Sequence, residues 1–271
     1  MCQCFSDKLP RLRKRRRILF LAFVALLQHV PDAVSAADVH SSPISKEFCE
    51  EMKIHKTLGN NSPVGCERLA VVKFRYFGFD GQVHGDGEIV VLDAAADRVA
   101  RIFDTLLSKR FPIEKARPLN AYEGDDEASM ADNNTSSFND RLISGGSILS
   151  LHAYGLAIDL NPAQNPFVQR ARGTFQVSPR GSESYLKRSD IRPGMAEAVV
   201  DVFAENGFPI WGGDWTNPID YQHFQVSRNL ALKLIQSSAS SARAIFESQV
   251  EQYRRCRESG KSRKLCIGSS T

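Results

Sequence analysis

Short apolar runs along the first half of the chain predict strands and helices in irregular order. Residues 69–77 are rich in Val, Phe and Tyr, and residues 88–92 form a second apolar run; both patterns are typical of strands. The glycines within residues 78–81 predict a turn between them. Asp93 is the expected N-cap of a helix over residues 94 to about 110, where apolar residues recur at helical spacing.

The middle of the chain is more polar. Residues 123–139 lack apolar periodicity and predict a long acidic loop, which in a compact domain tends to be functional. Residues 155–160 alternate, which predicts a strand with Asp159 on the face opposite the apolar side chains. Residues 161–193 are interrupted by Pro, Gly and Ser and predict a surface excursion.

The last third returns to apolar patterns. Residues 195–206 predict a short helix ended by a glycine, and residues 208–211 and 223–226 predict two strands. A further helix is expected from residue 229 onward, followed by a polar tail over residues 259–271. Helices and strands alternate irregularly, so the predicted fold class is α+β, in place of a doubly wound parallel sheet.

The N-terminus has the pattern of a secretory signal peptide. Six of residues 11–17 are basic, residues 18–27 are apolar, and small residues at 34 and 36 form a cleavage site after Ala36. A membrane anchor and a basic nucleic-acid-binding arm are the alternatives. A spanning helix needs about 20 apolar residues, twice the length of this run. Left uncleaved, the segment would tether the protein to the outer face of the membrane.

Composition and charge further limit the class of protein to which this chain can belong. The chain has 271 residues, 42% hydrophobic and 24% charged, which are globular proportions. The net charge is +4, but residues 1–36 hold seven basic and two acidic side chains, so 28 basic and 29 acidic remain after cleavage. The expected mature protein is not basic and has no membrane span, and nucleic-acid binding loses its electrostatic basis.

Four cysteines remain after residue 36, in two local pairs. The spacing suggests Cys49–Cys66 and Cys256–Cys266 disulfides in an oxidising compartment, with the other two pairings left open. A four-cysteine zinc site is less favoured because neither pair has the short spacing of a zinc knuckle.

Two histidines and one aspartate form a candidate metal site. His152, Asp159 and His223 offer two imidazoles and a carboxylate, a set that suits catalytic zinc because three protein ligands leave one position for water. Gly155 would allow a sharp turn between His152 and the strand that carries Asp159. The spacing alone says little, since a lone histidine is more often an ordinary hydrogen-bonding residue.

Asp220 and Arg141 are candidate catalytic groups beside that site. In an unbroken strand Asp220 would point away from His223, but Pro218 before it suggests a turn that brings it near the metal, where it could act as general base. Arg141 ends the acidic loop and could stabilise an oxyanion. The plainer alternatives are a turn-forming aspartate and a surface ion-pair arginine.

Three motifs together carry a family resemblance. The chain has S-x-H-x-x-G-x-A-x-D at residues 150–159, W-G-G-D-W at 211–215 and D-x-x-H-F at 220–224. These motifs resemble the D-alanyl-D-alanine carboxypeptidase family of zinc peptidases, which includes L-alanyl-D-glutamate endopeptidases. Residues 79–84, 111–113 and 128–133 also resemble its endopeptidase-like subgroup.

The resemblance implies a fold and a set of roles. The fold is a small antiparallel sheet that carries the zinc ligands, flanked by helices and shared with the signalling domain of Hedgehog proteins. One zinc ion would be held by His152, Asp159 and His223, with Asp220 as catalytic base and Arg141 binding and polarising the scissile carbonyl.

Other positions follow the family less closely. Ser150 and Trp215 are expected at the wall of the cleft or behind the ligands. The subgroup usually has Cys immediately before its arginine, whereas this chain has Asp140 before Arg141. An extra negative charge at that point is expected to lower substrate affinity.

The predicted protein is a zinc metallopeptidase that cleaves stem peptides of peptidoglycan and is secreted or periplasmic in the bacterial cell envelope. The bond cleaved stays open between D-Ala–D-Ala, L-Ala–D-Glu and a crosslink. Alternatives are a non-catalytic zinc-containing binding module of the same fold and a general peptidase with non-wall substrates. The predicted plan is a signal peptide (1–36), a polar extension (37–66), the peptidase domain (67–228), and a C-terminal helix with polar tail (229–271).

Overall fold

The computed structural model describes residues 40–143, 146–171 and 173–268. The predicted signal peptide, residues 1–36, lies outside these ranges. Within them, no helix combines the length and apolar character needed to cross a membrane.

Helices and short strands alternate along the described residues. The α-helices are α1 (Lys46–Ile54), α2 (Ala96–Ser108), α3 (Asp126–Ala131), α4 (Val200–Glu205), α5 (Arg228–Ile235), α6 (Ala239–Glu258) and α7 (Arg263–Gly268). The strands are β1 (His40–Pro43), β2 (Leu69–Phe77), β3 (Val83–Leu92), β4 (Lys115–Ala116), β5 (Asn134–Thr135), β6 (Ala157–Asp159), β7 (Phe167–Ala171), β8 (Thr174–Ser178), β9 (Ile210–Trp211), β10 (Ile219–Asp220) and β11 (His223–Gln225).

The strands form small sheets, as the α+β prediction requires. Three are antiparallel with three strands each, in the orders β1-β2-β3, β10-β7-β8 and β6-β11-β9, and β4 with β5 makes a parallel pair. The prediction of an α+β fold with small antiparallel sheets and flanking helices is confirmed at this level.

The β2–β3 hairpin and α2 build most of the core. The predicted strand over residues 69–77 is confirmed, and β3 begins at Val83, earlier than predicted, because the hairpin pairing continues through Tyr76 opposite His84. One face of α2 is fully buried, and Phe103 stacks on Phe74 with ring centroids 3.7 Å apart. Apolar burial of this kind is the main stabilising term for both elements.

The predicted N-cap of α2 is wrong. The helix begins at Ala96, its N-cap is Ala95, and no side chain caps it. The Asp93 carboxylate instead accepts two hydrogen bonds from the Arg68 guanidinium, at 2.9 and 3.1 Å. A charge-assisted, two-pronged bond to arginine is stronger than a cap, so the tertiary partner prevails.

Two segments predicted as irregular contain regular structure. Residues 123–139 include α3 and β5, and α3 is capped by the Asp125 side chain, which accepts from the Ala128 N–H at 3.0 Å. Residues 161–193 include the β7–β8 hairpin. Helix α3 lacks a buried apolar face, because Ser129 is its only buried residue, and so no hydrophobic period marks it.

The C-terminal region also differs from prediction. The helix predicted over residues 195–206 is split into a 3₁₀ turn (Ala196–Ala198) and α4. The expected single helix from residue 229 is three helices, α5 to α7, and the predicted polar tail contains α7. The Cys256–Cys266 disulfide joins α7 to α6 and buries Cys266 completely.

The N-terminal described segment packs on the same core. Strand β1 pairs antiparallel with β2, and Met52 of α1 is buried. The Cys49–Cys66 disulfide closes this segment, so both predicted pairings are confirmed. The predicted domain boundaries stay predictions.

Candidate active site

The central sheet places two of the predicted ligands together. Strand β11 runs antiparallel to β6, with His223 directly opposite Asp159 and Phe224 opposite Ile158. Opposite residues of an antiparallel pair point to the same face. Phe224 and Ile158 are fully buried in the core, so the next pair, His223 and Asp159, faces the other side.

The third predicted ligand precedes the sheet. His152 lies in a 3₁₀ turn (Leu151–Tyr154), whose N-cap Ser150 accepts a hydrogen bond from the His152 N–H at 3.3 Å. Gly155 ends the turn at φ +65°, and a Cβ there would lie 2.5 Å from the Leu92 backbone nitrogen. Only glycine fits this corner, as the sequence predicted.

His152, Asp159 and His223, hereafter the His-Asp-His cluster, offer ligand atoms that all lie within 4.8 Å of one another. Their interatomic distances are 3.1 Å from His152 Nε2 to Asp159 Oδ2, 2.9 Å from His223 Nδ1 to Asp159 Oδ1, and 3.1 Å between the two ring nitrogens. Each imidazole is oriented by its other nitrogen. His152 Nδ1 donates to the Ser137 carbonyl at 2.5 Å, and His223 Nε2 donates to Gln225 Oε1 at 2.7 Å.

Buried charge in the cluster favours a cation. Burial would raise the pKa of Asp159, but the two histidines outweigh it and hold that pKa well below its usual range. Burial would lower the pKa of His223, but the Asp159 carboxylate raises it to about 9. The same negative potential that holds a proton on His223 would stabilise a divalent cation in its place.

The donor set fits zinc. Two imidazole nitrogens and one carboxylate oxygen converge, and the second nitrogen of each ring is already hydrogen-bonded, which fixes its tautomer. The described residues contain no other such group of three His, Cys, Asp or Glu side chains.

The cluster opens into a cavity of about 420 Å³. Helix α3 and the β7–β8 hairpin both supply residues to its wall, so both segments predicted as irregular contribute to it. Trp215 also lines it, with its ring 5.4 Å from the His223 ring, centroid to centroid. Ser150 lies at its edge beside His152, in line with the cleft position expected for it.

Asp220 lines the same cavity. It ends β10, which pairs with β7, and two residues then turn the chain into β11, so Asp220 and His223 are not on one continuous strand. Its Oδ1 atom is buried and has no hydrogen-bond partner. Burial, and then the Asp159 charge, raise the pKa of Asp220 to about 7.

Arg141 reaches the cavity with a partner that the sequence analysis missed. Its Nη2 atom lies 2.8 Å from Asp126 Oδ2, while its Nε–H is buried and has no partner. The carboxylate beside the guanidinium therefore belongs to Asp126. Asp140 accepts a hydrogen bond from the Gly59 N–H at 3.0 Å. Its expected effect on substrate affinity stays a prediction.

The structure thus brings four of the five predicted site residues to the wall of one cavity, and the fifth, Asp159, is buried in contact with His152 and His223; their catalytic roles stay predictions. The sequence analysis missed Asp126, Gln225 and Arg228, which also line it. Gln225 could have been found, because it follows His223 by two residues on the same strand and so shares its face. No sequence pattern around Asp126 or Arg228 predicts that either residue lines the cavity.

The described residues thus form an α+β fold in which a buried His-Asp-His cluster that could hold a metal ion lies beside a cavity. Residues 144–226 match the family model described as D-alanyl-D-alanine carboxypeptidase. The family resemblance is confirmed, and the subgroup stays a prediction. No curated protein and no solved structure matches the chain.

Proposed function

We propose that this protein is a zinc-dependent peptidase that cleaves peptide bonds in peptidoglycan stem peptides. One observation carries the proposal: Asp220, with a buried and unpartnered carboxylate oxygen, lines the same cavity as the two histidines of the His-Asp-His cluster. The match of residues 144–226 to a D-alanyl-D-alanine carboxypeptidase family supports the substrate class.

The cluster residues would hold the metal. His152 Nε2, His223 Nδ1 and an Asp159 oxygen are the converging atoms, and Ser137 and Gln225 fix the two rings. When bound there, zinc supplies Lewis-acid chemistry, lowering the pKa of water and polarising a carbonyl.

Asp220 would move the proton. Burial raises the pKa of Asp220 to about 7 and a bound zinc ion would lower it again, so the carboxyl group would be ionised before the attack and can hold the proton after it. Its unpartnered Oδ1 is free to accept a proton from the attacking water and then to donate it to the departing amine. The base is therefore poised by burial and by its neighbour Asp159.

Arg141 would bind the carbonyl oxygen of the scissile bond. Its buried Nε–H lacks an acceptor, so a developing oxyanion at that point would gain a charge-assisted hydrogen bond. The ion pair with Asp126 holds the guanidinium in place, which reduces the reorganisation needed in the transition state.

The cavity and the disulfides support a peptide substrate outside the cytoplasm. A volume of about 420 Å³ accommodates a few peptide residues. Both cysteine pairs are oxidised in the structure, and such bonds persist in exported proteins. We therefore place the enzyme in the bacterial cell envelope, secreted or periplasmic.

The test is digestion of purified peptidoglycan, with products identified by mass spectrometry and zinc content measured on each protein. Asp220→Asn removes the base without changing side-chain size, and Asp104→Asn neutralises an exposed carboxylate of α2 as the matched control. We expect fragments from the wild type and the control, and about 10²- to 10⁴-fold less product from Asp220→Asn at equal zinc content.

Two outcomes would overturn the proposal. A wild type that binds one zinc per chain yet releases no fragment from peptidoglycan or from test peptides would be a binding module. Cleavage of unrelated peptides with peptidoglycan left intact would indicate a general peptidase.

A further inference from the structure

A second arginine lines the cavity and has no carboxylate partner. Arg228, the first residue of α5, is partly buried, and its Nη2 atom donates to the Leu149 carbonyl at 2.9 Å. Among the described residues, no carboxylate oxygen lies within 4 Å of its guanidinium, in contrast to Arg141 and Asp126 in the same cavity.

Three other partly buried arginines of this chain are paired with a carboxylate. Arg68, Arg98 and Arg188 bind Asp93, Glu247 and Glu197, respectively. Taking a guanidinium out of water is costly unless an anion or several acceptors replace its hydration. Arg228 has one backbone acceptor, so most of its donors remain available to a ligand in the cavity.

The position of Arg228 suits an anionic group close to the reacting bond. Its carbonyl partner Leu149 directly precedes Ser150, the cap of the turn that carries His152. The guanidinium is therefore anchored to the same segment as one predicted ligand. It also lies in the first turn of α5, where the helix dipole adds positive potential.

We propose that Arg228 is a specificity-determining residue that binds a free carboxylate of the peptide substrate. The proposal rests on the peptidase function and adds a requirement to it: the substrate carries a carboxylate near the scissile bond. Guanidinium and carboxylate match in a two-pronged geometry that an amide cannot reproduce. The carboxylate is either the C-terminus of the peptide or a free carboxyl group on an internal residue such as D-glutamate.

Four synthetic stem peptides distinguish these sources. They combine a free or amidated C-terminus with a free or amidated internal carboxyl group. Wild type, Arg228→Gln, Arg228→Lys and Lys233→Gln are compared by kcat and KM on each peptide. Lys233 is an exposed residue of the same helix, so its variant controls for the loss of one positive charge.

We expect Arg228→Gln to lower kcat/KM about 10- to 100-fold on peptides that carry the recognised carboxylate, chiefly through KM. The loss should be under about 2-fold once that carboxylate is amidated. Arg228→Lys should be intermediate, because it keeps the charge but loses the two-pronged bond. The control should match the wild type on all four peptides.

A binding measurement separates this inference from the proposed function. Calorimetric affinity for the same peptides is measured in the Asp220→Asn background, with and without Arg228→Gln, alongside thermal melting of each variant. The role of Arg228 alone would be overturned if the wild type cleaves these peptides and Arg228→Gln changes cleavage equally on all four, or changes it on none of them. Binding without cleavage by the wild type would overturn the peptidase function and leave the carboxylate preference measurable.

Discussion

His223 and Asp159 lie directly opposite each other on neighbouring antiparallel strands, with Nδ1 of the histidine 2.9 Å from Oδ1 of the aspartate. The face of the sheet to which these two side chains point therefore depends on strand register. A slip of one residue would turn Phe224 toward the cavity and His223 into the core. The buried Phe224, which stacks on Phe203 with centroids 3.9 Å apart, opposes that slip. Hydrophobic packing on one face thus holds the polar site on the other.

Replacing Gln225 with leucine should weaken zinc binding while leaving all three ligands in place. Gln225 Oε1 accepts from His223 Nε2 at 2.7 Å, and loss of such a partner typically costs 10- to 100-fold in metal affinity. Competition with a fluorescent zinc chelator measures the change. The control is Gln176→Leu, because Gln176 also lines the cavity and the hydrogen bonds of the two histidine rings go to other residues. Equal affinities of both variants would contradict the orienting role.

Gly155→Ala should destabilise the fold much more than Gly81→Ala. Both glycines have positive φ, +65° and +79°, so alanine at either pays a backbone cost of about 1–2 kcal/mol. Only at Gly155 would the added Cβ also lie 2.5 Å from the Leu92 nitrogen, whereas nothing lies within 4 Å at Gly81. Urea unfolding gives the free energy for each variant. Similar losses would show that the close approach to β3 is relieved at little cost.

Much of this architecture could be predicted because the sequence marks it locally. Strand β2 and helix α2 have apolar faces that must be buried, and His152, Asp159 and His223 occur in recognisable motifs. The left-handed corner at residue 155 follows from glycine alone. These features depend on residues close together in the chain or on a family pattern.

The missed features depend on partners that are distant in sequence. Asp93 has the residue type and position of a cap, and only the fold shows that Arg68 takes its carboxylate. The Arg141–Asp126 pair likewise leaves no periodic signal. In the β7–β8 hairpin, most side chains of β8 are exposed. Strand β7 pairs on its other edge with β10, about 50 residues later in the chain. Such pairings are set by tertiary contact.

Gly212→Ala should slow turnover without removing zinc. An added Cβ would lie 2.4 Å from the Asp220 carbonyl oxygen and 2.9 Å from its Cβ, so the base would have to shift. A displacement of about 1 Å can cost about 10²-fold in rate. The measurements are kcat and zinc content, with Gly85→Ala, which meets no atom within 4 Å, as the control. Unchanged turnover would show that Asp220 tolerates the shift or does not act as the base.

The contact between Asp214 and α7 should make part of the stability sensitive to acid. Burial raises the pKa of Asp214, but hydrogen bonds from Arg263 and Lys264 outweigh it and hold that pKa below its ordinary value. A carboxylate with a lowered folded-state pKa stabilises the fold above its unfolded pKa, about 3.9, and loses that contribution as pH falls through the folded value.

The difference in unfolding free energy between wild type and Asp214→Asn should therefore be constant from about pH 7 to 5 and shrink below about pH 4. Chemical denaturation at a series of pH values provides the comparison. Asp104→Asn, at an exposed site of α2, is the control for the removal of one carboxylate. If the difference in unfolding free energy between wild type and Asp214→Asn is as large at pH 2 as at pH 7, the ionised carboxylate of Asp214 is not what causes it.

The Cys256–Cys266 disulfide links the wall of the cavity to the redox state of the compartment that contains the protein. It holds α7 against α6, and α7 supplies Arg263 to Asp214, the last residue of the short turn whose Gly212 packs on Asp220. In a reducing cytoplasm this covalent support would be absent, while the cross-strand ligand pair in the central sheet would not depend on it. In the extracytoplasmic location that we propose, oxidation of this cysteine pair would add a covalent constraint to the helix that contacts Asp214.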